Sequence, residues 1–352
     1  MTAWGQIHER LGKMWLVYGK RPWQLAQIRR AVEHLHGPLE VPYAADELVV
    51  LCLLRDGELY LNTFVQHYTR LGVRHIFFMD NGSTDQTIAL ARQYPNVTIL
   101  RCTLPFRHYK MALRHYLIRQ FARPERWALY VDVDELFDYP FSDRVALTDW
   151  LAYLRQRGYT AVLAHMLDMF PDAPLNAISS QINDYLPDQH RYYDIADLIR
   201  VDYYFPRNKL PSPDLKLYHG GVRQARFAAG DLGVLLSKHP LFFLDGRLKP
   251  LYVSEHSLRN GVVAEVTAVL YHYKFLANFA AQTARAVREK NYYNQSEEYQ
   301  KYRQTIEAHP DINLRRETSR LLTGTNDLLE NQFLYASAPY RAWASRQTRP
   351  RP

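Results

Sequence analysis

Cysteine is scarce in this chain: two among 352 residues, Cys52 and Cys102. Both lie inside apolar, strand-like runs, which excludes a disulfide framework and a cysteine-rich metal site and points to a reducing compartment. Long apolar runs are missing as well. Stretches such as Leu48 to Leu54 stop far short of the ~18–20 residues needed to span a bilayer. Glu9, Arg10 and Lys13 interrupt the N-terminal region where a signal peptide needs an apolar core, so the expected location is the cytoplasm, with at most peripheral contact at the inner face of the membrane. Low-complexity tracts and internal repeats are absent. No helix-turn-helix, zinc-finger or aromatic ribonucleoprotein signature appears, and the basic residues are dispersed, so nucleic acid is not an expected partner.

The composition that remains is globular, 47% hydrophobic and 23% charged, with a net charge of +8. A positive balance suits anionic partners: phosphorylated sugars, nucleotides or anionic lipid headgroups. Within that composition the most informative stretch is Asp132-Val133-Asp134-Glu135, directly after the apolar run Trp127 to Val131. The run predicts a buried strand that delivers carboxylates to its end. Hard divalent cations take oxygen ligands of this kind and are often shared with a substrate phosphate, which makes Mg²⁺ or Mn²⁺ the candidate cofactor. A second acidic turn, Asp80-Asn81-Gly82-Ser83-Thr84-Asp85, follows the apolar run Arg74 to Met79. Gly82 supplies a free turn, and Ser83 or Thr84 can cap a helix from about Asp85 to Gln93. In open α/β sheets ligands sit at the carboxyl ends of strands, where Asp80 and Asp132 would both lie.

Along the chain, residues 1–44 are basic and predict a helical extension, with Trp4, Trp15 and Trp23 among Arg and Lys. From Glu47 strands and helices alternate: strand Leu48–Leu54, a helix through Leu61, Phe64, Val65, Tyr68 and Leu71 ending at Gly72, strand Arg74–Met79, and strand Val97–Leu100. A helix His108–Phe121, strand Trp127–Val131, a helix capped by Thr148 and strand Tyr159–Met166 complete the series. This alternation predicts an α/β fold with a mostly parallel sheet covered on both faces. Beyond Met166 the pattern weakens into Pro- and Tyr-rich loops around a binding surface; residues 277–306 are helical, and the Arg/Pro-rich tail after Ala336 is expected to fray.

Four motifs in order, Arg55-Asp56-Gly57-Glu58, Leu71-Gly72-Val73, Asp80-Asn81-Gly82-Ser83-Thr84-Asp85 and Asp132-Val133-Asp134-Glu135, resemble the nucleotide-binding half of family-2-type glycosyltransferases with the GT-A fold. The likeness is to the subgroup with an Arg-Asn-Glu opening and an Asp-x-Asp-Glu motif. It continues loosely through Met169-Phe170-Pro171, Gly220 to Arg223, Lys238 to Leu241 and His272 to Phe275. The chain departs from the pattern in Asp56-Gly57 for Asn-Glu and in Asp80-Asn81 for the commoner Asp-Asp.

The resemblance implies a GT-A-like, Rossmann-like domain over 45–275, divided into a nucleotide-binding half (45–165) and an acceptor half (166–275), with a helical region and tail over 276–352. It implies that Arg55, Asp80, Asn81 and Asp132 contact the nucleotide, and that Asp134, with Asp132 and His272, holds the metal. His272 is then expected to be neutral, with its second nitrogen oriented by an acceptor; His256 is the rival. Arg223, Arg226, Lys238 and Lys274 are candidate diphosphate or acceptor contacts, and Asp231 or Glu255 is the candidate catalytic base. The implied activity is metal-dependent, inverting transfer of a sugar from a nucleoside-diphosphate donor, UDP-type, to a hydroxyl of a glycan, lipid-linked glycan or polysaccharide. Two other readings stand beside it. A sugar nucleotidyltransferase would carry a glycine-rich loop where Arg55 to Glu58 stand, and a non-catalytic nucleotide- or glycan-binding protein would need no base.

Overall fold

The computed structural model describes residues 20–228, 233–251, 254, 256–289 and 296–348. Its strands are β1 Glu33–His36, β2 Leu48–Leu54, β3 His75–Asp80, β4 Val97–Arg101, β5 Trp127–Tyr130, β6 Glu135–Asp138, β7 Ala161–Asp168, β8 Tyr192–Tyr193, β9 Leu198–Asp202, β10 Lys216–Gly220, β11 Ser237–Phe243, β12 Ala268–His272 and β13 Arg320–Leu321. Nine of them form one sheet in the order β1-β4-β3-β2-β5-β11-β7-β12-β6. The pairings make β2, β3, β4, β5, β7 and β12 run one way and β1, β11 and β6 the other. The expected α/β class is present: a mostly parallel, Rossmann-like sheet with helices on both faces. Its strands read as continuous apolar runs because both faces are covered, and every residue of β2, β3, β7, β11 and β12 is buried.

Helix Glu58–Leu71 covers one face through Leu61, Phe64, Val65 and Tyr68, spaced one helical turn apart. It ends where Gly72 takes a left-handed φ of 96°, and Val73 N then donates to Tyr68 O at 3.0 Å, as the sequence predicts. Helix Phe106–Phe121 covers the opposite face, with helix Arg21–Ala31 packed on its outer side.

Several boundaries differ from the expected ones. The N-terminal extension is not helical throughout: Glu33–His36 joins the sheet as β1, and residues 1–19 lie outside the described part. The helix after the Asp80 turn spans only Thr87–Ala91, with Gln86 at its N-cap rather than Ser83 or Thr84. Thr148 lies inside helix Leu147–Gln156, because the chain enters it at Ala146. The tail after Ala336 does not fray at once. Helix Ala338–Ala344 buries Tyr340, whose hydroxyl donates to Pro140 O at 2.7 Å.

At the sheet's edge, β6 offers its outer backbone groups to side chains of helix Glu58–Leu71 instead of to a further strand. Tyr68 Oη donates to Glu135 O at 2.9 Å and accepts from Phe137 N at 3.0 Å, and His67 Nε2 lies 2.8 Å from Phe137 O. Buried backbone groups need such partners. The same contacts set the height of the acidic loop just before β6. Tyr68→Phe keeps the ring and strips both hydrogen bonds, so it should lower unfolding free energy by about 2–4 kcal/mol in urea titrations. A loss below about 0.5 kcal/mol would show that β6 is held by packing alone.

Candidate active site

Three strand ends meet at one point of the sheet. His272 closes β12 and stands in register with Glu135 at the start of β6 and with Asp168 at the end of β7. The acidic loop Asp132–Glu135 therefore faces a histidine and a further aspartate from distant parts of the chain. The His272 ring spans two carboxylates: Nδ1 lies 2.6 Å from Asp168 Oδ1 and Nε2 lies 3.2 Å from Asp134 Oδ2. Asp168 is held in turn by Arg223, whose Nε donates to its Oδ2 at 2.8 Å, and Arg223 Nη1 donates to Glu298 at 3.3 Å. On the other side of the loop, Lys238 Nζ bridges Glu135 Oε1 and Asp132 Oδ2, the latter at 3.3 Å, while Arg114 Nη2 reaches Asp132 Oδ1 at 3.2 Å. Arg114 is itself fixed by Tyr130, whose hydroxyl accepts from Nε at 2.9 Å.

The local charges follow from these pairs. Burial opposes ionisation of Asp134, yet His272, Lys274 and Lys238 hold it well below the ordinary carboxylate range. Asp168, also buried, is held down to about 2 by Arg223 and His272. Glu135 moves the other way: burial raises it, and Asp132 and Asp134 add to the rise against the pull of Lys238. Burial alone would lower His272, but Asp134 and Asp168 push it up to about 9. Without a bound ion the two flanking carboxylates favour the charged ring, whereas the neutral imidazole is the expectation for the ion-bound site. An acceptor orienting its second nitrogen, Asp168, is in place.

The first acidic turn has a different character from the expected one. Asp80 is fully buried, and its carboxylate accepts from Ser83 N at 3.0 Å, Gly82 N at 3.2 Å and Arg101 Nε at 2.8 Å. Asn81 donates its amide to Cys102 O at 2.6 Å and Leu104 O at 2.9 Å. Both side chains hold the turn together, Asp80 through backbone amides and a guanidinium and Asn81 through two backbone carbonyls. Arg55 is partly exposed, 3.6 Å from Asp56 and 3.9 Å from Glu289. Asp56, at a left-handed φ of 54°, accepts from Thr84 N at 2.8 Å and pairs with Arg285 at 2.5 Å.

Of the candidate cations, Lys238 and Lys274 stand near the acidic loop. Lys274 Nζ donates to the Tyr299 hydroxyl at 3.2 Å and makes no ion pair with a described residue. Arg223 is 3% exposed and committed to Asp168 and Glu298, so it is no surface contact for a diphosphate. Arg226 donates to Asn313 O. His256, the rival ligand, has its Nδ1 2.8 Å from Ser237 O. Asp231 and Glu255, the candidate bases, lie outside the described residues. Two site residues escaped the sequence reading. Arg114 was visible as a lone cation on the apolar face Ala112, Leu113, Leu117, Ile118, and Asp168 as an acid ending a buried strand.

No family model and no curated protein matches the sequence. Among solved structures, glucosyl-3-phosphoglycerate synthase from Mycobacterium tuberculosis, in complex with Mn²⁺, UDP and glucosyl-3-phosphoglycerate, is similar at 15% identity over 38% of this chain, TM-score 0.23. The chain spans about half the length of that synthase, 50%. The mannosyltransferase PcManGT from Pyrobaculum calidifontis, in complex with GDP-Man and Mn²⁺, is similar at 13% identity over 95% of this chain and 93% of its own, TM-score 0.31. A 4-diphosphocytidyl-2C-methyl-D-erythritol synthase is similar at 11% identity over 56% of this chain and 74% of its own, TM-score 0.26.

The buried and exposed arginines should separate cleanly on mutation. Arg223→Leu strips the buried guanidinium from Asp168 and Glu298 and should cost about 3–5 kcal/mol. Arg55→Leu breaks only a solvated pair and should cost less than about 1 kcal/mol. Chemical denaturation of the two variants reads the difference, and equal losses would contradict the buried relay.

Proposed function

We propose that the chain is a divalent-metal-dependent glycosyltransferase that moves a sugar from a nucleoside-diphosphate donor, UDP-type, to a hydroxyl acceptor, with inversion. One observation carries the reading: Asp134 and His272, from opposite halves of the chain, lie 3.2 Å apart at the carboxyl end of β12, with the histidine oriented by Asp168. Neighbouring ligands about 2.1 Å from one octahedral ion stand roughly 3.0 Å apart, so this pair fits Mn²⁺ or Mg²⁺. Among the described residues no group of three or more His, Cys, Asp or Glu side chains is arranged to hold a metal ion. A two-ligand protein site leaves the remaining positions to water and to substrate oxygens, as hard cations at phosphate sites require.

In this reading residues 45–275 form the catalytic unit, with the donor over 45–165 and the acceptor over 166–275. A bound divalent ion supplies Lewis-acid stabilisation of charge on the departing diphosphate. The protein's own share is electrostatic and positional. Lys274, hydrogen-bonded to the Tyr299 hydroxyl and in no ion pair with a described residue, is the cation assigned to meet developing phosphate charge. Asp132, with Arg114 and Lys238 on its two oxygens, is placed to accept from the ribose or to complete the metal shell. The buried Asp80–Asn81 turn shapes the nucleotide pocket, and Arg55 stands at its rim. The acceptor is a glycan, lipid-linked glycan or polysaccharide hydroxyl.

Asp134→Asn and His272→Ala should each reduce donor hydrolysis and transfer at least about a hundredfold. In the unaltered protein, UDP should raise the melting temperature with Mn²⁺ and far less with a chelator. Scanning fluorimetry with UDP- and GDP-sugars checks this. Full activity of either variant, or activity in excess chelator, overturns the proposed metal site.

A further inference from the structure

We propose that the outer face of the helix pair Arg21–Ala31 and Phe106–Phe121 is a docking surface for an anionic lipid bilayer. No Asp or Glu occurs between Lys20 and Val32 or between Arg101 and Pro124. The fold brings these two acid-free segments side by side. Gln24 Nε2 donates to His108 O at 2.6 Å, Gln27 and Tyr109 share a hydrogen bond, and the interior side of the pair packs through Ile28, Leu113 and Leu117.

The polar side is left with one sign of charge. Arg29, Arg30, Arg119 and Arg123 are exposed and Lys20 half-buried, and none of the five is in an ion pair with a described residue. Beside this charge stands Trp23, at 59% the most exposed of the large apolar side chains on the described surface.

An uncompensated row of Lys and Arg beside an exposed Trp is the chemistry of a membrane interface, where the indole sits at the headgroup level and the cations meet anionic headgroups. An aromatic this exposed favours a lipid surface over a nucleic-acid backbone, which asks for cations alone. No helix among the described residues is long and apolar enough to cross a membrane, so the contact proposed is with the surface. Nothing in this face depends on the transferase reading, since none of its five surface cations belongs to the proposed active site.

The test is flotation of the full chain with phosphatidylcholine vesicles, with and without phosphatidylserine, at low and high salt. Binding should require phosphatidylserine and fall with salt. Each exposed arginine removed should weaken it about fivefold, so Arg29→Glu with Arg30→Glu should abolish flotation, and Trp23→Ser should weaken it. Donor hydrolysis should stay at the unaltered level in both variants, and their circular dichroism should match. Equal binding to neutral vesicles, no binding to acidic ones, or unchanged binding of the double variant overturns the proposal. So does tighter, salt-sensitive binding to a duplex oligonucleotide than to acidic vesicles.

Discussion

Neutralising a crowd of carboxylates in a nearly dry place is the constraint around which the site is organised. Asp132, Asp134, Glu135 and Asp168 crowd into the space between three strand ends, and unpaired charges there would carry a desolvation cost of several kcal/mol each. Arg114, Lys238, Arg223 and the His272 imidazolium supply one cation for each carboxylate. The cations come from helix Phe106–Phe121, from β11, from helix Val222–Phe227 and from β12. Elements with no local reason to associate are thereby tied to one point, and β11, antiparallel between β5 and β7, brings Lys238 to the acids beside it.

The same balance separates residues that maintain the site from those available to a ligand. Asp80, Asn81, Arg223 and Glu135 are buried and find partners inside the protein. Asp132, Asp134 and Lys274 keep some access to solvent, and their partners are groups that a substrate or an ion can replace. The C-terminal helices belong to this balance as well. Glu298 supports Arg223 from one of them, and Arg285 meets Asp56 from the other, so what reads in sequence as an appendage reaches both ends of the site.

The strands were legible because buried parallel strands are continuous apolar runs: Leu48–Leu54 is found at the residues expected, and His75–Asp80 is displaced by one. The presence of acids at the ends of β3 and β5 was legible too. What the sequence could not display was which donors reach those acids. Asp80 and Asp132 look alike on paper, yet one is saturated by its own turn and Arg101, while the other faces cations across a gap. Arg223 is a similar case, since a guanidinium shows its charge in sequence and its buried partners only in three dimensions. The strand β1 was missed because four residues, Glu-His-Leu-His, carry no periodicity that separates them from the helix before them.

The capping of β6 by Tyr68 and His67 has a consequence for association between copies of the chain. A sheet grows from molecule to molecule only where an outer strand presents free amides and carbonyls. At β6 side chains of the chain's own helix occupy several of those groups, so that border is closed to strand addition. The opposite border is β1, four residues long and irregular in register between His34 and His36, which offers a short and uneven template. A continuation of the nine-stranded sheet from one molecule into another is therefore disfavoured at both of its borders.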